Sequence, residues 1–328
     1  MGNRRTFVKL AGGALLGICF TAIAQQTNKI WRIGFLSKNA RPPDGKVPAP
    51  LRNALQALGY SEGKEIVFEG RWAEVRSDRL PALAVELVAL KLDLIFCLGG
   101  EPGAAAKQAT STIPIIVVNA GDVVETGLIS SLARPGGNVT GVNDQSAVLS
   151  AKRLELLKEL VPTATRVAVL WNANDRAMTL RYREIERAAK VLRVTIEPLG
   201  VSEPDDFDVA LSAMDRARPD ALMMVTDALT VLNRQRVIDY VAAHRIPAVY
   251  EYGTLVHAGG LMSYGGDMGE NLKLAAEYVS KLIKGAKPGD LPVEQPNRYF
   301  LVINMKTAKA LGLAIPQSLQ LRADELIQ

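Results

Sequence analysis

The chain has 328 residues, 48% of them hydrophobic and 22% charged, with a formal net charge of +5 at neutral pH. Three of the positive charges, Arg4, Arg5 and Lys9, stand in the first ten residues without an acidic neighbour, so the rest carries only +2. That balance gives no reason to expect nucleic acid or an anionic membrane as partner, and a chain this long exceeds what one hydrophobic core usually serves, so two lobes are expected.

The first residues read "MGNRRTFVKLAGGALLGICFTAIAQQ". The apolar run from Leu10 to Ala24 is short for a spanning helix, which needs ~20 apolar residues. Ala22 and Ala24 form a small-residue cleavage pattern before Gln25, so residues 1–24 are expected to be a signal peptide and the mature protein to be exported. Residues 3–9 are similar to the twin-arginine export motif, and the general secretory route is the alternative. Ile18 directly before Cys19 is too bulky for the usual lipobox. With Cys19 gone, Cys97 is the only cysteine left, which excludes an intramolecular disulfide.

Beyond the signal, "WRIGFLSKNA" (31–40) is an apolar strand opening into a polar loop. Leu80, Leu83, Ala84, Leu87 and Val88 then fall on one face of a helix. The strands "KLDLIFCLGG" (91–100) and "IPIIVVNAGD" (113–122) follow. Ser150 suits the cap of a helix carrying Leu154, Leu157 and Val161. Three further strands then repeat the first three in order. "TRVAVLWNAND" (165–175) comes 134 residues after the first, "RPDALMMVTD" (218–227) sets Asp220 127 residues after Asp93, and "IPAVYEYG" (246–253) sets Ile246 133 residues after Ile113.

Continuously apolar strands suit central parallel positions covered by helices on both faces. Strand–helix alternation, written twice, predicts an α/β protein of two Rossmann-like, doubly wound lobes. A strand at Gly260–Tyr264, a helix at Asn271–Ile283 and a return segment at 297–313 come after the second copy, so the chain crosses between lobes several times. The expected division is 28–141 with 263–290 for the first lobe, and 142–262 with 291–328 for the second.

Parallel α/β sheets bind ligands outside the carboxyl ends of their strands. The first-lobe exits supply Ser37, the Gly99-Gly100-Glu101 loop and Asp122. The second-lobe exits supply Trp171, Asn172, Asp227, Tyr250 and Glu251, and the late strand supplies Tyr264. The glycine loop and the helix N-terminus after it offer donors to an anion. Together with carboxylates for an amine and rings for an apolar body, they describe an amino-acid-like ligand. Local alternatives stand beside this: Asp122 and Asp227 equally suit helix caps, Trp171 suits a core, and only one of Tyr250 and Tyr252 faces the cleft.

Catalytic and cofactor motifs are missing from the sequence. The two histidines, His244 and His257, belong to no metal-ligand pattern. No Walker, dinucleotide-binding or nucleophile-elbow motif occurs. Cys97 sits inside an apolar strand and reads as a buried, inert thiol. No catalytic residue, metal or cofactor is expected.

Five stretches, "GYSEGKEIVFEGRWAE", "IPIIVVNAGDVVETGLISSLARPGGNVTGV", "KRLELLKELVPTATRVAVLWN", "GGLMSYG" and "LVINMKTAKALGLAIPQSLQLRADELI", resemble the ABC-transporter substrate-binding family that includes the tryptophan-binding, TrpX-like proteins. The resemblance spans essentially the whole chain after the signal. It implies a type I periplasmic-binding-protein fold whose lobes close about a multi-crossing hinge, a periplasmic location, and delivery of a small molecule to an inner-membrane permease by a monomer. It also implies ligand contacts on the strand-exit loops, including Asp122, Asn172, Asp227 and Tyr250. Glu101 is a departure, standing where relatives commonly carry a small or hydroxyl residue, and it opposes an anionic ligand group there. A periplasmic sensor that presents its ligand to a membrane receptor is the alternative role.

Overall fold

The computed structural model describes residues 29–328 apart from Gln145 and Asn297. The expected signal peptide, with Cys19, lies outside the described residues. The first lobe runs β1 (Trp31–Ser37), α1 (Ala49–Ala57), β2 (Ile66–Trp72), α2 (Leu80–Ala89), β3 (Leu94–Leu98), α3 (Gly100–Ala109), β4 (Ile115–Val118) and β5 (Val139–Val142). The second begins α4 (Ser146–Leu160), β6 (Arg166–Asn172), α5 (Arg176–Leu192), β7 (Thr195–Val201), α6 (Asp206–Ala217) and β8 (Ala221–Met224). It continues through α7 (Ala228–Leu232), α8 (Arg234–Ala243), β9 (Ala248–Tyr250), α9 (Gly253–His257) and β10 (Met262–Gly265). Last come α10 (Met268–Ile283), β11 (Phe300–Asn304), α11 (Met305–Leu311), α12 (Gln317–Arg322) and β12 (Glu325–Ile327).

The strands assemble into two sheets. The first has the order β2-β1-β3-β4-β5, all parallel. The second repeats it as β7-β6-β8-β9-β10 and adds β11 and β12, with β11 antiparallel to β10. The three strand pairs read from the sequence are therefore β1 with β6, β3 with β8 and β4 with β9. Their side chains are buried on both faces, because helices cover both. Leu83, Leu87 and Ala106 cover one side of the first sheet, and Leu51, Leu55 and Ala275 the other. Leu154, Ile185 and Leu319 cover one side of the second sheet, and Phe207, Val237 and Leu255 the other.

Several boundaries differ from the sequence reading. Residues 263–265 belong to β10, whose Met262 and Ser263 pair with Val249 and Tyr250 of β9, so the return to the first lobe follows Gly265 instead of preceding Ser263. Val142 still belongs to β5, and Val293 packs in the first-lobe core, so both neighbouring boundaries fall a few residues later than expected. Ser150 is no cap. It is buried within α4, which starts at residue 146, and Val161 follows that helix.

Among the described residues, three segments cross between the lobes: residues 143–144, residues 266–267, and the stretch leading into β11. Two of them are stitched together, since Asn143 N donates to Glu294 O at 2.8 Å and Glu294 N donates to Gly141 O at 3.1 Å.

Candidate functional site

The carboxyl ends of the two sheets face each other across a cleft, and the side chains there follow from how each strand turns into its helix. After β3, Gly99 has φ +108°, a conformation that glycine adopts without strain. A Cβ on Gly100 would lie 2.6 Å from the Ala120 carbonyl oxygen, so the loop that starts α3 packs directly on the neighbouring backbone. On the other wall, Asp175 accepts from Ala177 N at 2.8 Å as the N-cap of α5. Asp227 and Thr230 form a reciprocal capping box on α7.

A cavity of about 230 Å³ lies between these walls. The first lobe lines it with Lys38, Asn39, Gly99, Gly100, Glu101 and Asn119. The second lines it with Asp175, Met178, Arg181, Thr226, Asp227 and Tyr252. Lys38 Nζ lies 2.5 Å from Glu101 Oε2 and 3.7 Å from Asp227 Oδ2 in the facing lobe. Asn172 Nδ2 donates to the same Asp227 oxygen at 2.6 Å. Burial, with the Glu101 carboxylate next in weight, pushes the Asp175 carboxyl up to about 6. Gly100, Glu101 and Asp175 also border a second cavity of about 410 Å³ between α3 and α5, so the cleft extends outward past Lys107 and Arg176.

Under the cavity lies a buried ionic floor. Arg181 Nη1 donates to Glu251 Oε2 at 2.6 Å and Arg181 Nη2 to Asp144 Oδ2 at 2.9 Å. Arg153 Nη1 donates to Glu251 Oε1 at 2.9 Å, and Tyr252 Oη donates to Asp144 Oδ2 at 2.9 Å. Burial works against the Arg181 cation, but Asp144 and Glu251 outweigh it and hold its pKa above the ordinary value. Burial, then Asp144, raises the Tyr252 phenol well above its usual range, so it stays a donor.

Of the residues expected from sequence, Gly99, Gly100, Glu101 and Asp227 line the cavity. Asn172 is buried behind Asp227. Ser37 is buried at the end of β1, its hydroxyl accepting from Asn39 N at 3.1 Å, and the lining falls to the next two residues. Glu251 belongs to the ionic floor. The remaining four lie elsewhere. Asp122 accepts from Val124 N and Glu125 N, at 3.2 and 3.0 Å, and serves as a turn cap outside the cavity. Trp171 stacks on Tyr182 with ring centroids 3.8 Å apart, in the second-lobe core. Tyr250 is fully buried in the opposite core layer, and Tyr252 is the tyrosine that reaches the cleft. Tyr264 lies against Tyr299 and contributes its carbonyl to Arg153 Nε at 2.7 Å.

Lys38, Asp175, Arg181 and Tyr252 line the cavity without having been assigned to it from sequence. Asp175 is the last residue of the "NAND" exit and was legible as an exit residue; Arg181 lies within a helix and carried no such signal. Cys97 is buried in β3, which raises its thiol pKa far above the ordinary value and leaves it unreactive. Among the described residues, no group of three His, Cys, Asp or Glu side chains is placed to hold a metal ion.

Two doubly wound lobes, three crossings and a cavity between strand ends define a type I periplasmic-binding-protein fold. Residues 44–327 match the family described as ABC transporter substrate binding protein. The chain belongs to that family, and its function is solute capture for an ABC transporter. The tyrosine-binding protein of Clostridioides difficile (strain R20291) is 29% identical over 281 residues, 86% of this chain and 81% of that protein. The ABC domain in complex with L-Trp from Streptococcus pneumoniae superposes with a TM-score of 0.84 at 24% identity, covering 91% of this chain and 100% of that one. The ligand-free, open structure of a substrate-binding protein with adhesive properties from Clostridium difficile gives a TM-score of 0.65 at the same identity and coverage.

Proposed function

We propose that the protein is exported to the periplasm, works as a monomer without catalysis, and captures an amino acid or an amino-acid-like amine for an inner-membrane permease. The observation that carries this reading is the inter-lobe cavity, to which both sheets contribute polar side chains at their strand ends. Asp175 and Asp227 are the groups we assign to the ligand amine, and the apolar bodies of Met178 and Tyr252 are assigned to the rest of the molecule. The tyrosine-binding relative and the L-Trp complex support an amine-bearing ligand. Among the described residues no helix is long and apolar enough to cross a membrane.

Capture needs only a ligand that binds the closed form better than the open one. Contacts between the lobes support a closed arrangement here. Arg176 Nη2 donates to Glu125 O at 2.9 Å across the cleft, and Lys38 reaches Asp227. The better superposition on the L-Trp complex than on the open, ligand-free relative points the same way. Native mass spectrometry of protein purified from its host should find a retained amine, and calorimetric titration should then reproduce its binding. A folded protein that retains nothing and binds no amino acid or amine would overturn the proposal.

A further inference from the structure

Charge around the cavity is unbalanced. The ionic floor is neutral in itself, because Arg181 and Arg153 answer Asp144 and Glu251 one for one. Above it, Lys38 lines the cavity with three carboxylates, Glu101 in the first turn of α3, Asp175 capping α5 and Asp227 capping α7, while Lys107 and Arg176 border only its outward extension. Glu101 is partly open to solvent, its side chain 22% exposed, and the other three are dry. The side chains of Lys38 and Asp227 are each 6% exposed, and Asp175 is 8% exposed. Charges so far from water interact strongly, and an uncompensated one is costly.

A second observation lies on the same wall. Thr226 is 8% exposed and lines the cavity, yet its hydroxyl has no hydrogen-bond partner among the described residues. A hydroxyl oxygen there can accept from an ammonium group. Arg181 Nε is likewise buried, lining and without a partner, and can donate to a hydroxyl oxygen on the ligand.

We infer that the preferred ligand is an organic amine with net positive charge, in preference to a zwitterionic amino acid with an uncharged side chain. This rests on the cleft being the ligand site. An added cation offsets the carboxylate excess, whereas a zwitterion brings its own carboxylate into that excess. The natural place for such a carboxylate, the N-terminus of α3, is already held by Glu101. Burial is the main reason that Asp175 holds its proton up to a pH of about 6, and the Glu101 carboxylate, then Asp227, add to it against Lys38 and the Ala177 amide. The other cations near Asp175 are engaged elsewhere: Arg181 with the floor carboxylates, Arg176 with the Glu125 carbonyl and Lys107 with the Gly127 and Leu128 carbonyls.

The test is calorimetric titration of the full mature chain with matched pairs: tyramine against L-tyrosine, tryptamine against L-tryptophan, and isoamylamine against L-leucine. In at least one pair the amine should bind tenfold or more tightly than the zwitterion. Because a bound cation favours ionised Asp175, that amine should bind about tenfold more weakly at pH 5 than at pH 7. Asp175→Asn should weaken the amine and flatten this pH dependence. Zwitterions that bind as well as or better than their paired amines would overturn the inference and leave the amino-acid reading standing. Failure of every probe to bind a folded protein would overturn both.

Discussion

Arg181, on α5 of the second lobe, and Asp144, on the first crossing between the lobes, form an ion pair of 2.9 Å with almost no exposed surface. The same guanidinium holds Glu251, so one side chain ties the wall that carries Asp175 to the hinge. Arg181→Leu keeps much of the volume but leaves Asp144 and Glu251 with a single buried cation, Arg153, between them. Breaking such a pair costs about 3–5 kcal/mol, which urea unfolding should register as a lower midpoint at unchanged slope. A loss smaller than that of an ordinary surface substitution would contradict the account of the floor.

Asp227 and Asp122 both cap the backbone after a strand, but only Asp227 lines the cavity. Asp227→Asn keeps an oxygen for the Thr230 amide while removing the charge and the acceptor for Asn172 Nδ2, so melting should fall only modestly. Its amine affinity should fall by about 2–5 kcal/mol, the usual cost of truncating a buried charged contact. Asp122→Ala should do the reverse, costing ~1 kcal/mol of stability with binding intact. Calorimetry and thermal melting on both variants separate the two roles, and normal binding by Asp227→Asn would remove it from the site.

For Asp175, the pKa rises from 3.8 to about 6 on folding, so the folded protein holds a proton that the unfolded chain releases. Its contribution to stability is complete below pH 3.8 and is lost as pH rises through 6. Asp175→Asn should therefore stabilise the unliganded protein above pH 6 by about 1–3 kcal/mol and leave it nearly unchanged at pH 4. Asparagine preserves the cap acceptor for the Ala177 amide. Denaturant melts at the two pH values decide the matter; an equal effect at both would show that ionisation of Asp175 is not the cause.

Closure can be tested by steric means. A Cβ on Gly121 would lie only 2.9 Å from Ala177 Cβ, so backbone of the first lobe rests against α5 of the second. Ala177→Leu keeps the helix while adding volume at that contact, and should wedge the lobes apart. Small-angle scattering at saturating ligand should give a larger radius of gyration than for the unaltered protein, with weaker binding. An unchanged radius would mean that the lobes do not need this approach.

The duplicated architecture was readable because its central strands are apolar on both faces and three of them recur in order. The partners β2 and β7 were not, because their side chains are mostly half-buried or exposed and leave no continuous apolar run. Ser150 misled because a hydroxyl before an apolar stretch looks like a cap, while its burial inside α4 depends on tertiary packing. The site was legible where a loop itself forms the wall, as at Gly99–Glu101 and Asp227. It was not where side-chain direction decides. Tyr250 and Tyr252 both lie near the exit of β9, and one is committed to the core while the other reaches the cleft. Arg181 escaped notice because helical periodicity assigns a charge to solvent, and only the facing carboxylates make its burial tolerable.

Three links between two bodies do more than hold them together. A single linker would let the lobes twist and slide, whereas three neighbouring strands of chain, two of them joined through Asn143, Glu294 and Gly141, resist both. What remains is rotation about one axis, like a door on a fixed jamb. The presence of a small molecule is thereby converted into one angle, a mechanical signal that a membrane partner can read from outside without touching what lies within.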